Sequence, residues 1–140
     1  MRSFRVLTWT EYITILPTIY VIMATVLVVD DEHGVAELFD AILTDRGHRV
    51  LTAINGKHGL EVLAQESADL VFLDFMMPEM GASVMLEVMM ADLVWQKIPV
   101  VIMSVLPEKI IAMRCSGYVG VLKKPFRVSQ VEDLTERLKT

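Results

Sequence analysis

Four stretches of this 140-residue chain end an apolar run on a side chain able to do chemistry. Asp69-Leu70-Val71-Phe72-Leu73 runs onto Asp74 and then breaks at Met76-Met77-Pro78. Thr25-Val26-Leu27-Val28-Val29 ends in three acids, Asp30, Asp31 and Glu32. Ile98-Pro99-Val100-Val101-Ile102-Met103 ends on the hydroxyl of Ser104, and Tyr118-Val119-Gly120-Val121-Leu122-Lys123 ends on Lys124 beside Pro125. Carboxylates clustered at Asp30, Asp31 and Asp74 repel one another at neutral pH unless a cation sits among them, and an all-oxygen donor set suits magnesium. Such an ion neutralises charge developing on a phosphoryl group that reaches Asp74, while a lysine and a hydroxyl hold the remaining oxygens. Lys124 and Ser104 are those types. An ionised carboxylate needs no separate base to act as nucleophile. Each residue alone also has a plainer reading. A strand-end Asp is commonly a cap or turn former, Ser104 can satisfy backbone groups, and Lys123 or Lys124 can be solvated charge. Their joint placement at strand ends is what favours a site.

The elements that must position these groups alternate along the chain. Continuous apolar runs of this length suit parallel strands covered on both faces, with the ligand crevice beyond their carboxyl ends. Between them, Val35, Leu38, Phe39, Ile42 and Leu43 give a helical face over 32–46, stopped by Gly47. Residues 48–54 read as a short strand. Asn55-Gly56 turns the chain into a helix over 57–66 with Leu60, Leu63 and Ala64 as its stripe. Val84, Met85, Val88 and Met89 mark a third helix over 83–91, its methionines read as core filler. Pro107 opens a helix to Arg114 that Gly117 ends, and Val131, Leu134 and Leu138 mark the last helix over 128–139. Five strands alternating with five helices specify a doubly wound α/β domain with a parallel sheet.

Length leaves room for one domain with a proper core. A net charge of −5 argues against a nucleic-acid surface, which needs a basic patch. One cysteine, Cys115, excludes an internal disulfide, and three scattered histidines make a Cys/His zinc site improbable; both suit a reducing, cytoplasmic setting. Residues 1–23 do not match the rest. They are apolar and aromatic, but without Ala24 to Val29, which the first strand needs, they hold roughly half of the ~20 apolar residues of a membrane span, interrupted by Pro17. They are read as an N-terminal extension, with Met23 an alternative start, and 24–140 as the domain. The fifth helix closes the chain, so no output domain is expected after it.

Val28-Val29-Asp30-Asp31-Glu32, Asp74 with Met77-Pro78, Ser104 and Lys124-Pro125-Phe126 together resemble the receiver domains of two-component response regulators, over about 24–139. The resemblance implies the flavodoxin-like strand order 2-1-3-4-5 known for chemotaxis receivers. It implies Asp74 as phosphoacceptor, Asp31 as a direct magnesium ligand with Asp30 alongside, and the Met76 carbonyl as a further ligand. Ser104 would be the switch hydroxyl and Lys124 the phosphoryl-binding lysine, with the Lys124-Pro125 bond a candidate for the cis isomer. It implies a histidine kinase or histidine phosphotransfer protein as donor, and a downstream protein whose affinity changes.

The chain departs from the family pattern in places. Val121 stands where an aromatic is usual three residues before the lysine. Tyr118, on the same strand but three residues away, is expected to face the opposite side. Met80-Gly81-Ala82 replaces the usual Met-Asp-Gly, and Val105 stands where the family prefers Ala or Gly. The span from Ser104 to Lys124 is short, which trims the fourth helix. Three readings remain open: a stand-alone phosphoacceptor, a diverged receiver serving as a phosphorylation-independent interaction module, and an unrelated magnesium-dependent phosphotransfer enzyme of the same architecture.

Overall fold

Alternation along each strand sorts the core onto two sides of one sheet. The computed structural model describes residues 6, 8–11 and 24–139, so most of the N-terminal extension lies outside the described residues. Strands β1 (Thr25–Val29), β2 (Arg49–Ala53), β3 (Leu70–Asp74), β4 (Val100–Ser104) and β5 (Gly120–Lys123) form an all-parallel sheet in the order β2-β1-β3-β4-β5. The connections carry helices α1 (His33–Asp45), α2 (Gly56–Gln65), α3 (Ala82–Met90), α4 (Glu108–Arg114) and α5 (Val128–Leu138). The doubly wound, flavodoxin-like expectation is met, strand order included.

On one side Leu27, Val29, Val71, Leu73, Val100 and Ile102 pack with Leu63 of α2, Met85, Leu86 and Met89 of α3, and Ile111 of α4. On the other, Val26, Val28, Leu70, Phe72, Val101 and Met103 pack with Phe39, Ile42 and Leu43 of α1 and Val131 of α5. Because β3 and β4 are covered on both sides, every one of their residues is buried, which is why their sequences read as unbroken apolar runs. The buried methionines are core, as expected.

Helix ends follow local chemistry. After α1, Gly47 N–H donates to the Thr44 carbonyl and His48 N–H to the Leu43 carbonyl, with Gly47 at φ +85°. That double bond around a left-handed residue is the Schellman stop, and a side chain there would be strained. Asn55 caps α2 by accepting the His58 N–H at 2.8 Å. The α2 helix accordingly starts at Gly56, one residue earlier than the sequence pattern indicates. A 3-10 turn at Trp95–Lys97, with no strong signal in the sequence, is held by Asp92 accepting the Val94 and Trp95 N–H groups. The α4 helix spans seven residues and is the shortest of the five, in line with the short segment that encodes it.

One expectation fails. Tyr118 is not part of a strand, since β5 begins at Gly120, and it packs against the same core side as Val121. Alternation constrains only residues within the pleat, so the opposite-face argument does not reach Tyr118.

Phe39 joins the two halves of its core side, with its ring 4.8 Å from that of Phe72 and 5.4 Å from that of Phe126. Replacing Phe39 with Ala is expected to cost about 3–5 kcal/mol, as for other fully buried aromatics. Urea unfolding with an unchanged slope and a lowered midpoint checks this.

Candidate functional site

The carboxyl ends of neighbouring strands bring the acids together. Val29 lies beside Leu73 in the β1–β3 pairing, so Asp30, the next residue, emerges next to Asp74 at the end of β3. Carboxylate oxygens of Asp30, Asp31 and Asp74 all lie within 4.8 Å of one another; Asp30 and Asp74 are buried and Asp31 is exposed. At such separations two full charges repel by about 3 kcal/mol at an effective dielectric of about 20, and by less where water reaches Asp31.

Lys124 offsets part of that repulsion. Its Nζ donates to Asp30 Oδ2 at 2.9 Å and lies 3.3 Å from Asp74 Oδ1. Asp30 is held from both sides, because its Oδ1 accepts the Glu32 N–H at 2.9 Å in a local turn. Lys124 is placed by the far edge of the sheet. Ser104 pairs with Lys123, the Lys124 N–H donates to the Ser104 carbonyl at 2.8 Å, the Lys124-Pro125 peptide is cis, and Phe126 is seated on Phe39.

Burial and the neighbouring Asp30 charge push the Asp74 carboxyl up from 3.8 to about 6, against the pull of Lys124. Burial works against the Lys124 charge, but its hydrogen bond to Asp30 and the charge of Asp74 outweigh it, and its pKa is raised. Both groups are therefore ionised at neutral pH. Four carboxylates, those of Asp30, Asp31, Glu32 and Asp74, gather around one ammonium, which leaves the crevice with an excess of negative charge that a divalent cation fits.

The remaining sequence-derived residues fall around this cluster. Ser104 is buried one strand away, and its Oγ accepts the Leu106 N–H at 2.9 Å; among the described residues no hydrogen bond joins it to Asp74. Met76 is on the loop that leaves Asp74, with its side chain exposed, and Val105 is exposed on the loop that begins at Ser104. Glu32 was not among the candidate site residues, yet its carboxylate is 3.7 Å from Lys124 Nζ. Its adjacency to Asp30 and Asp31 was the available signal. Asn55 and Gly56, which bond to Glu79 and Met80 in the loop after Asp74, carry no chemical signal in sequence.

The response regulator receiver domain profile matches residues 26–139, and the chain belongs to that family. It is 34% identical over 116 residues to the transcriptional activator protein PfeR of Pseudomonas aeruginosa, covering 80% of this chain and 36% of that protein. It is 29% identical over 116 residues to sporulation initiation phosphotransferase F of Bacillus subtilis, covering 80% of this chain and 90% of that protein. The chain therefore spans only about a third of the first relative's length but most of the second's. Among solved structures, chemotaxis response regulator CheY4 of Vibrio cholerae superposes with a TM-score of 0.76 at 26% identity, over 83% of this chain and 98% of that one. Among the described residues no helix is long and apolar enough to cross a membrane.

The raised Asp74 pKa has a consequence for stability. The folded state keeps this proton to higher pH than the unfolded chain does, so ionising Asp74 costs stability as pH rises from 3.8 to about 6, and the full cost applies above that. With a chelator present, Asp74→Asn is expected to melt at a higher temperature than the native protein at about pH 7.5, with the gain fading below about pH 4. A pH series of thermal melts checks this.

Proposed function

We propose that residues 24–140 form a receiver unit that accepts a phosphoryl group onto Asp74 from a phosphohistidine donor and signals through changed protein contacts. The observation that carries this reading is the juxtaposition of Asp74 with two further carboxylates and with Lys124 at the carboxyl edge of the sheet. Asp30, Asp31, Asp74 and the Met76 carbonyl are the groups that would hold magnesium. The donor set supports that ion: its side chains are all carboxylates, and Lys124 compensates only part of their charge. When bound, magnesium supplies neutralisation of charge on the phosphoryl oxygens.

The chain's own residues account for the rest. A carboxylate oxygen of Asp74 attacks phosphorus, the nitrogen–phosphorus bond of the donor breaks, and the donor imidazole leaves with its electron pair. Lys124 Nζ, already 3.3 Å from Asp74, donates to a phosphoryl oxygen as it develops. Water attack on phosphorus later releases inorganic phosphate and restores the carboxylate. Ser104 reaches the phosphoryl group by giving up its bond with Leu106 N–H, which frees the loop leading to α4. That exchange gives the signal a route to a surface.

A histidine kinase or histidine phosphotransfer protein is the proposed donor, a second protein the proposed target, and the cytoplasm the proposed setting. The phosphotransferase name of the Bacillus subtilis relative supports a relay role.

Intact mass after incubating the protein with magnesium and a small phosphoryl donor tests the reading, beside Asp74→Asn and a metal-free sample. One labile phosphoryl adduct that requires both Asp74 and magnesium is expected. If a phosphorylated kinase also leaves no adduct, the interaction-module reading stands instead. Val105→Ala is expected to hydrolyse its acyl phosphate faster than the native protein, because a smaller side chain widens the approach to Asp74. An unchanged or slower loss of phosphate from the variant would exclude that role for Val105.

A further inference from the structure

We propose that the loop between β2 and α2, which carries no acid of the site, ties the two acid-bearing loops together, with Asn55 and Glu79 as positioning residues for magnesium. This rests on the phosphoacceptor reading and adds to it how the site keeps its shape.

The tie runs through four consecutive residues. At one end the Asp30 N–H donates to the Ala53 carbonyl at 3.0 Å, fixing β2 to the first acid loop. At the other end the Gly56 N–H donates to the Met80 carbonyl at 3.0 Å, and Asn55 Nδ2 donates to Glu79 Oε2 at 3.2 Å. Residues 53–56 thus bridge Asp30 to the segment that leaves Asp74 and carries the Met76 carbonyl.

Close approach demands glycine at this crossing. A Cβ on Gly56 would lie 2.8 Å from the Met80 carbonyl oxygen, a backbone atom that cannot swing aside. Glu79 sits at φ +63°, a left-handed conformation that costs a non-glycine residue about 1 kcal/mol or more. That conformation directs the segment toward Asn55, and the hydrogen bond between the two side chains holds it there. The loop is also anchored where it starts, by the Phe75 N–H on the Met103 carbonyl at 2.9 Å, and where it ends, at buried Ala82 of α3. The tie supplies a third anchor between them. Metal ligands must be held to within about 0.5 Å, and groups that only orient ligands typically alter metal affinity by about 10–100-fold.

Asn55 permits a clean separation of roles. Its Oδ1 caps α2 while its Nδ2 makes the tie, so Asn55→Asp keeps the cap acceptor and removes the donor. The new carboxylate also adds negative charge near a cation site, which by Coulomb attraction alone would tighten magnesium binding. Glu79→Gln keeps an acceptor for Asn55 while removing charge; Glu79→Ala removes both.

Calorimetric titration of magnesium into the unphosphorylated full chain reads affinity and stoichiometry separately. We expect Asn55→Asp and Glu79→Ala to weaken Kd by about tenfold at unchanged stoichiometry, and Glu79→Gln to stay within about twofold of native. Asn55→Asp binding as tightly as native or tighter would overturn the proposal, as would Glu79→Gln weakened to the level of Glu79→Ala. A loss of stoichiometry without a change in Kd would point to partial unfolding and also overturn it. A native protein that took up no magnesium would overturn the phosphoacceptor reading itself, and this inference with it.

Discussion

The ion pair from Lys124 to Asp30 and Asp74 is the constraint on which the rest of the site depends. Lys124 stands 94 residues from Asp30 and 50 from Asp74 in the chain, so these contacts form only when β1, β3, β4 and β5 lie side by side in register. Without the ammonium, two buried carboxylates would face each other at the head of the sheet with no cation between them, which raises the cost of ionising either. With it, part of that repulsion is offset. The compensation is incomplete: Lys124 carries one positive charge against the carboxylates of Asp30, Glu32 and Asp74.

Holding that lysine involves packing on the side of the sheet covered by α1 and α5. Phe126 follows Lys124-Pro125 and lies against Phe39 of α1, which lies against Phe72 of β3, two residues before Asp74. One aromatic row therefore references both the strand that ends in Asp74 and the lysine loop to the same helix. The β2–α2 loop does comparable work for the acids through backbone hydrogen bonds. The candidate site groups sit at four strand ends, and the relative positions of those ends are set by residues with no chemical role.

Three of the departures from the family pattern, Val105, Val121 and the short α4 helix, lie along β4, β5 and the segment between them. Val121 and Tyr118 share one core side with Ile111 of the short α4 helix, while Ser104 is bonded into the loop leading to that helix. An aromatic side chain is thus present near the position that the pattern leaves without one, although it arrives from the irregular segment before β5. Strand alternation does not govern Tyr118, because β5 starts two residues after the apolar run does.

The sequence by itself determined the class of fold and most of the chemistry. Unbroken apolar runs require strands covered on both sides, helical stripes between them require crossovers, and a carboxylate, acid pair, hydroxyl and lysine at the run ends mark the crevice. Short-range rules also located the stop at Gly47 and placed the start of α2 to within one residue. Only the tertiary structure decided which acid Lys124 holds, that Ser104 is occupied by Leu106 N–H, that Glu32 joins the cluster, and that Asn55 meets Glu79. Propensity and periodicity act over a few residues, whereas these contacts depend on the register of distant strands and on loop conformations that surrounding packing selects.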